Sequence, residues 1–228
     1  MEILVIGSNV SLLECRQKFG EQHQYCHRED LTDAGEFLKP EAIVFDFLVS
    51  ERHPFGVYKD FSGSVFLDVS RNAWTEIVGE SRATFYGFCG LPTFLNREIL
   101  EVSLLKGEHK DKLGEICLAL NTKFAIVNDQ VGLVTPRVIG MIINEAYFAI
   151  QENIASRSDI DLAMKLGTNY PFGPFEWCER IGIKNVYELL TAVYEHTREE
   201  RYKVCELLER EANEVTQSHK GNILGHFH

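Results

Sequence analysis

Apolar and polar positions alternate along the first half of the chain in short blocks. Ile3 to Ile6 is a continuous apolar run that stops at Gly7, and Leu12, Leu13, Cys15, Arg16 and Phe19 follow at helical spacing. The pattern predicts a strand, a turn and a helix. A short strand near His23–Cys26 comes next, then a polar stretch with Asp30, Thr32 and Asp33 leading to one helical turn around Glu36–Leu38. Ala42–Phe47 and Ser64–Val69 read as two further strands, with the unbroken hydrophobicity of parallel strands buried on both faces. Gly87–Pro92 is rich in glycine and aromatic residues, and Ile99–Leu104 reads as a strand. Lys110–Asn121 is amphipathic, with Leu113, Ile116, Cys117 and Leu120 on one face, and Phe124–Val127 is a last strand. Short buried strands separated by helical or loop crossovers predict an α/β layer with a parallel sheet.

Beyond Val127 no strand pattern appears. Helices are predicted over Pro136 to about Asn153, Asp159–Leu166, Pro174–Ile181, Val186–Glu199 and Arg201 to about Val215. The switch near Asn128–Gly132 marks a boundary that divides the chain into residues 1–129 and 130–228. Thr135 ahead of Pro136 reads as an N-cap with proline at the first helical position. Ser158 with Asp161 resembles a capping box, and Gly167 is placed to stop that helix.

Composition narrows the function classes. The 228 residues include 45% hydrophobic and 25% charged positions, as in ordinary soluble globular proteins. A formal net charge of -11 with no basic cluster argues against nucleic acid and anionic membrane surfaces as partners. No run reaches the roughly 18 apolar residues of a membrane span, since even Val138–Ile150 carries Asn144 and Glu145. Met1–Gly7 reads as a first strand, not a signal peptide. Cys15, Cys26, Cys89, Cys117, Cys178 and Cys205 form no C-x-x-C pair and are expected as buried free thiols of a cytoplasmic protein. His23, His27 and His53 lack metal-ligand spacing, and the tail His226-Phe227-His228 is too short for a metal site.

Some residues carry a family likeness. Val127-Asn128-Asp129-Gln130-Val131-Gly132-Leu133-Val134 leads to Arg137 and Asn144-Glu145-Ala146. Ala155 to Gly167, Tyr170-Pro171-Phe172-Gly173-Pro174-Phe175-Glu176 and Ile181-Gly182 continue in the same order. Over residues 127–190 the sequence resembles the helical C-terminal domain of the 3-hydroxyacyl-CoA dehydrogenases. The resemblance implies an α/β plus all-α fold. A reduced Rossmann-like parallel sheet domain would be followed by a helical 6-phosphogluconate/3-hydroxyacyl-CoA dehydrogenase C-terminal-like domain. It also implies the family reaction, NAD-dependent oxidation of 3-hydroxyacyl-CoA to 3-oxoacyl-CoA in fatty acid metabolism. An acyl-CoA would bind between the domains, and a homodimer would form through the helical one.

The family's dinucleotide fingerprint is G-x-G-x-x-G, and the window here is Gly7-Ser8-Asn9-Val10-Ser11-Leu12. Gly7 and Asn9 are therefore the cofactor-binding positions, and only Gly7 keeps its glycine. Glu29 or Asp30 stands where an acidic residue is expected at the tip of the second strand. The missing length falls between the first strand and Ala42. Threading on Thr75-Glu76-Ile77 and Leu100-Glu101-Val102 carries the family's serine to Ser70, its glutamate to Glu101 and its general acid/base histidine to Cys89. Its asparagine falls on Pro136, ahead of Arg137.

Ser70 reads equally as a turn cap or as a retained binding residue. Glu101, in an apolar strand, needs a partner such as Arg137 or Arg97. A bound coenzyme A would need Arg71, Arg82, Arg97 and Arg137 gathered around it. A thiol of pKa about 8.5 is a poor replacement for imidazole. The leading expectation is a family member diverged at its active site, with weak or no NAD-dependent turnover. The alternatives are an oxidoreductase working through Ser70, Cys89 and Glu101, or a non-catalytic dimerisation or interaction subunit.

Overall fold

The computed structural model of the chain describes residues 1–32, 34–48, 55–72, 81–104 and 109–224. The chain divides into two compact units, Met1–Val134 and Thr135–His228.

The first unit is built on one seven-stranded sheet. Its strands are β1 (Glu2–Ile6), β2 (Gln24–Arg28), β3 (Ile43–Asp46), β4 (Ser64–Asp68), β5 (Thr84–Phe88), β6 (Ile99–Leu104) and β7 (Lys123–Val127). They lie in the order β2-β1-β3-β4-β5-β6-β7. Helix α1 (Asn9–Phe19) joins β1 to β2, and α2 (Lys110–Ala119) joins β6 to β7. A full dinucleotide-binding sheet runs 3-2-1-4-5-6, with a strand outside the second one. Here β2 is the edge, and a 3-10 turn, Ala34–Phe37, lies between β2 and β3. Among the described residues the sheet has no strand outside β2, the reduction expected from the short first half.

Two details differ from the sequence reading. The sheet is not wholly parallel, because β6 runs antiparallel to β5 while pairing in parallel with β7. Thr84–Phe88 is also a strand, one that the sequence pattern does not predict. Its place is fixed by aromatic packing across the sheet. Phe45, Phe66 and Tyr86 occupy one cross-strand row, with Phe45–Phe66 stacked at 4.6 Å and Phe66–Tyr86 at 4.9 Å between centroids. Phe19 of α1 caps the row at 4.9 Å from Phe45. These rings, with Val5, Leu100, Val102, Leu113 and Cys117, make the core.

The second unit is helical, with α3 (Thr135–Gln151), α4 (Arg157–Thr168), α5 (Pro174–Ile181), α6 (Ile183–Thr197) and α7 (Glu206–Leu224). The last helix begins at Glu206 rather than Arg201, because Glu200–Tyr202 forms a separate 3-10 turn. The capping of α4 also departs from expectation. Ser156, not Ser158, is the N-cap, accepting the Asp159 N–H at 3.3 Å, and Asn169 at φ +55° ends the helix beyond Gly167.

Asp161 is thereby free for a different task. Its carboxylate accepts the N–H groups of Phe175 at 2.8 Å and Glu176 at 3.3 Å, in the first turn of α5. Gly173, the N-cap of α5, has no side chain to do this, and a Cβ there would overlap the Asp161 carboxylate. Glu176 reaches back to the Gly173 N–H at 3.0 Å and pairs with Lys165 of α4. The Gly173-Pro174 loop is thus a dock for a carboxylate presented by the neighbouring helix.

Candidate functional site

In an open α/β sheet the ligand crevice lies beyond the carboxyl ends of the strands, where the strand order reverses. That point is between β1 and β3. Gly7 follows β1 with φ +153°, its N–H bonded to the Arg28 carbonyl at 2.9 Å and its carbonyl 2.8 Å from His27 Nε2. Asn9 is the exposed first residue of α1, and Ser8 is its N-cap. Beside Gly7 stands Phe47, whose N–H donates to the Ile6 carbonyl at 2.8 Å. A Cβ built on Gly7 would lie 3.0 Å from both the Phe47 Cβ and the Ser11 hydroxyl.

The next two strands both end in a buried aspartate. Asp46 accepts the Leu48 N–H at 2.9 Å and the Tyr58 hydroxyl at 2.8 Å. Burial pushes its carboxyl up to about 6, and the nearby Asp68 pushes the same way against those two hydrogen bonds. Burial, reinforced by Asp46, also raises the Tyr58 hydroxyl well above its ordinary value. Asp68 accepts the N–H groups of Ser70 at 3.0 Å and Gly90 at 2.9 Å, tying the turn after β4 to the turn after β5. A side chain at Gly90 would collide with Asp68 and Phe47 at 2.9 Å, so that approach requires glycine.

These contacts bring together Ser70 and Cys89, two of the five candidate residues, and Glu101 acts electrostatically on the Cys89 thiol. Ser70 is buried, and its hydroxyl has no hydrogen-bond partner among the described residues. Cys89 lies next to Gly90 at 5% exposure. Burial drives its thiol well above the ordinary value and the charge of Asp68 adds to that; the Leu91 N–H opposes it, and Glu101, which raises, and Arg71, which lowers, have smaller effects. The thiol is therefore held protonated at neutral pH, which removes it as a thiolate nucleophile and as a base. Glu101, half-buried on β6, accepts the Val134 N–H at 3.2 Å. Gly7 and Asn9 belong to the neighbouring β1–α1 turn, with Phe47 between Gly7 and Gly90. The threading anchor Thr75-Glu76-Ile77, His53 and the tail His226–His228 lie outside the described residues.

The dinucleotide that the resemblance implies does not fit this set of residues. Asn9 and Leu12 replace the glycines that admit the pyrophosphate and let the helix pack closely, and Leu12 packs against the core. The Ser8 hydroxyl already takes the Ser11 N–H at 3.3 Å, one of the donors a diphosphate would need. At the tip of β2 stands Arg28, its guanidinium 3.4 Å from the Phe37 ring centroid, with Glu29 exposed beyond it. Two buried acidic residues, Asp46 and Asp68, end the strands at this crevice.

Asp46, Phe47 and Asp68 are the site residues that sequence reasoning missed. Their signal is two apolar strands that each finish in aspartate, Ile43-Val44-Phe45-Asp46 and Val65-Phe66-Leu67-Asp68. An open groove of about 810 Å³ lies at the opposite end of the sheet, lined by Met1, Gln24, Pro40 and the Lys39–Glu2 ion pair. It is remote from the strand ends described above. Among the described residues no helix is long and apolar enough to cross a membrane, and no group of three or more His, Cys, Asp or Glu is arranged to hold a metal ion.

Residues 132–222 match the family model described as 3-hydroxyacyl-CoA dehydrogenase, C-terminal domain. Among curated relatives, the chain is 44% identical over 86 residues to the 3-hydroxyadipyl-CoA dehydrogenase of Escherichia coli (strain K12), covering 38% of this chain and 18% of that protein. It is 34% identical over 84 residues to a probable 3-hydroxybutyryl-CoA dehydrogenase of Bacillus subtilis (strain 168), covering 37% and 29%. The match thus spans less than a third of either relative. Among solved structures, FadB2 of M. tuberculosis aligns with a TM-score of 0.74 over 93% of both chains at 13% identity, a likeness of fold alone.

Proposed function

We propose, from the match of residues 132–222 to the 3-hydroxyacyl-CoA dehydrogenase C-terminal domain, that the whole chain is a 3-hydroxyacyl-CoA dehydrogenase-like protein that does not carry out the family's NAD-dependent oxidation. The single observation that carries this reading is Cys89. By the resemblance it takes the place of the general acid/base, and it is buried at 5% exposure with its thiol pushed up by burial and by the charge of Asp68. Losing a general acid/base costs about 10²–10⁴-fold in rate. The poor fit of the β1–α1 turn to a dinucleotide adds to that loss. Calorimetric titration with NADH and an assay with a 3-hydroxyacyl-CoA test the reading on the full chain. No measurable heat and no turnover are expected, and micromolar binding together with oxidation overturns it.

The same reading includes a homodimer formed through the helical unit. Leu162 and Leu166 of α4, one turn apart, are 52% and 78% exposed, and Ile154 just ahead of the helix is 69% exposed. Apolar side chains grouped in this way suit an interface. Light scattering should give a dimer for the natural chain and a monomer for the double variant Leu162→Glu, Leu166→Glu. A dimer that survives both changes removes this part of the proposal.

A further inference from the structure

The turn that leaves β5 is held from outside its own strand. Thr93 lies at φ +76°, a left-handed backbone conformation that a β-branched residue adopts only under constraint. Its N–H donates to Glu14 Oε1 of α1 at 2.6 Å. Gln17 and Lys18 follow Glu14 by three and four residues, hence on the same helix face. Gln17 Oε1 accepts Asn96 Nδ2 at 3.3 Å, and the Lys18 ammonium donates to the carbonyls of Arg97 and Glu98. Three positions on one face of α1 therefore catch residues 93–98. Glu14 is half-buried, and burial raises its carboxyl while the Thr93 N–H draws it back down. A carboxylate kept in so unfavourable a place is retained for the bond it makes.

The same turn begins with Cys89 and Gly90, and Gly90 is bonded to Asp68 at its other end. We propose that Glu14 is a positioning residue, a latch by which α1 fixes the Cys89–Thr93 turn in its strained form and keeps Cys89 covered. The latch is independent of whether the chain transfers hydride.

Alkylation of the full chain by iodoacetamide, resolved by peptide mass spectrometry, tests it. Glu14→Ala should speed modification of Cys89 about tenfold, the scale of losing one charge-assisted hydrogen bond, while Cys117 in the same core keeps its natural rate. Glu14→Gln should stay within about twofold of the natural protein, because its amide oxygen accepts the same N–H. In a Thr93→Gly background, where left-handed backbone is free of strain, the effect of Glu14→Ala should fall to about threefold or less. Unchanged protection of Cys89 in Glu14→Ala overturns the proposal. Equal acceleration at Cys89 and Cys117 also overturns it, since the contact would then serve only general stability.

Discussion

Polar side chains carry different burdens in the two units. In the helical unit they close gaps in the backbone. Asn144 of α3 donates to the Lys203 carbonyl and accepts the Cys205 N–H, each at 2.9 Å, and so satisfies the segment that leads into α7. Asp161 does the same for the start of α5. The Tyr147 hydroxyl and Arg157 meet on Glu211, at 3.1 and 2.5 Å, and join α3 and the start of α4 to α7. In the sheet unit the Asp46 carboxyl at the end of β3 sits where burial makes ionisation costly. The polar groups named in the helical unit tie backbone segments and helices together, whereas in the sheet unit Asp46 and Asp68 are buried at adjacent strand ends.

If that contrast is right, substitutions in the two units should differ in sign. The largest loss is expected for Asn144→Ala, which strands a buried donor and a buried acceptor and should cost about 3 kcal/mol in urea unfolding. The largest gain is expected for Asp46→Asn. The Asp46 carboxyl titrates at about 6 in the fold against an ordinary 3.8. The neutral form is thus the favoured one, and stability from this group is full below about pH 4 and lost as pH rises through 6. At pH 8 the asparagine variant should be more stable by on the order of 2 kcal/mol, and the two proteins should converge near pH 4. Parallel pH profiles would remove the assigned role of Asp46.

Smaller effects follow. Asp161→Ala should cost about 1–2 kcal/mol, the usual worth of a helix cap, with Asp161→Asn recovering much of it because an amide oxygen still accepts. Glu101→Gln keeps an acceptor for the Val134 N–H and should change stability by less than about 0.5 kcal/mol. A large loss of turnover in that variant would restore the reading of a working oxidoreductase.

Much of this arrangement was legible in the sequence, for identifiable reasons. Continuous apolar runs located β1, β3 and β4, because strands buried on both faces have no polar alternation to blur them. Strand β5 was not legible, since Gly87 interrupts its apolar run and its place is set by pairing with β4 and β6 and by the neighbouring rings. The Ser158–Asp161 spacing fits a capping box, yet the partner of Asp161 lies on another helix, a fact that local spacing does not carry. Cys89 and Glu101 were found by their places in a pattern. Asp46 and Asp68 had no such pattern, and their weight comes from burial at adjacent strand ends.

The loss of the outer strand has a further cost, which falls on β2. As the sheet's margin it presents a row of backbone donors and acceptors, a template on which another extended chain can align and begin aggregation. The strand is only five residues long and carries Gln24, His27 and Arg28, features that discourage such pairing. Shortening a fold thus creates a hazard of self-association at its new border, and the composition of β2 is suited to contain it.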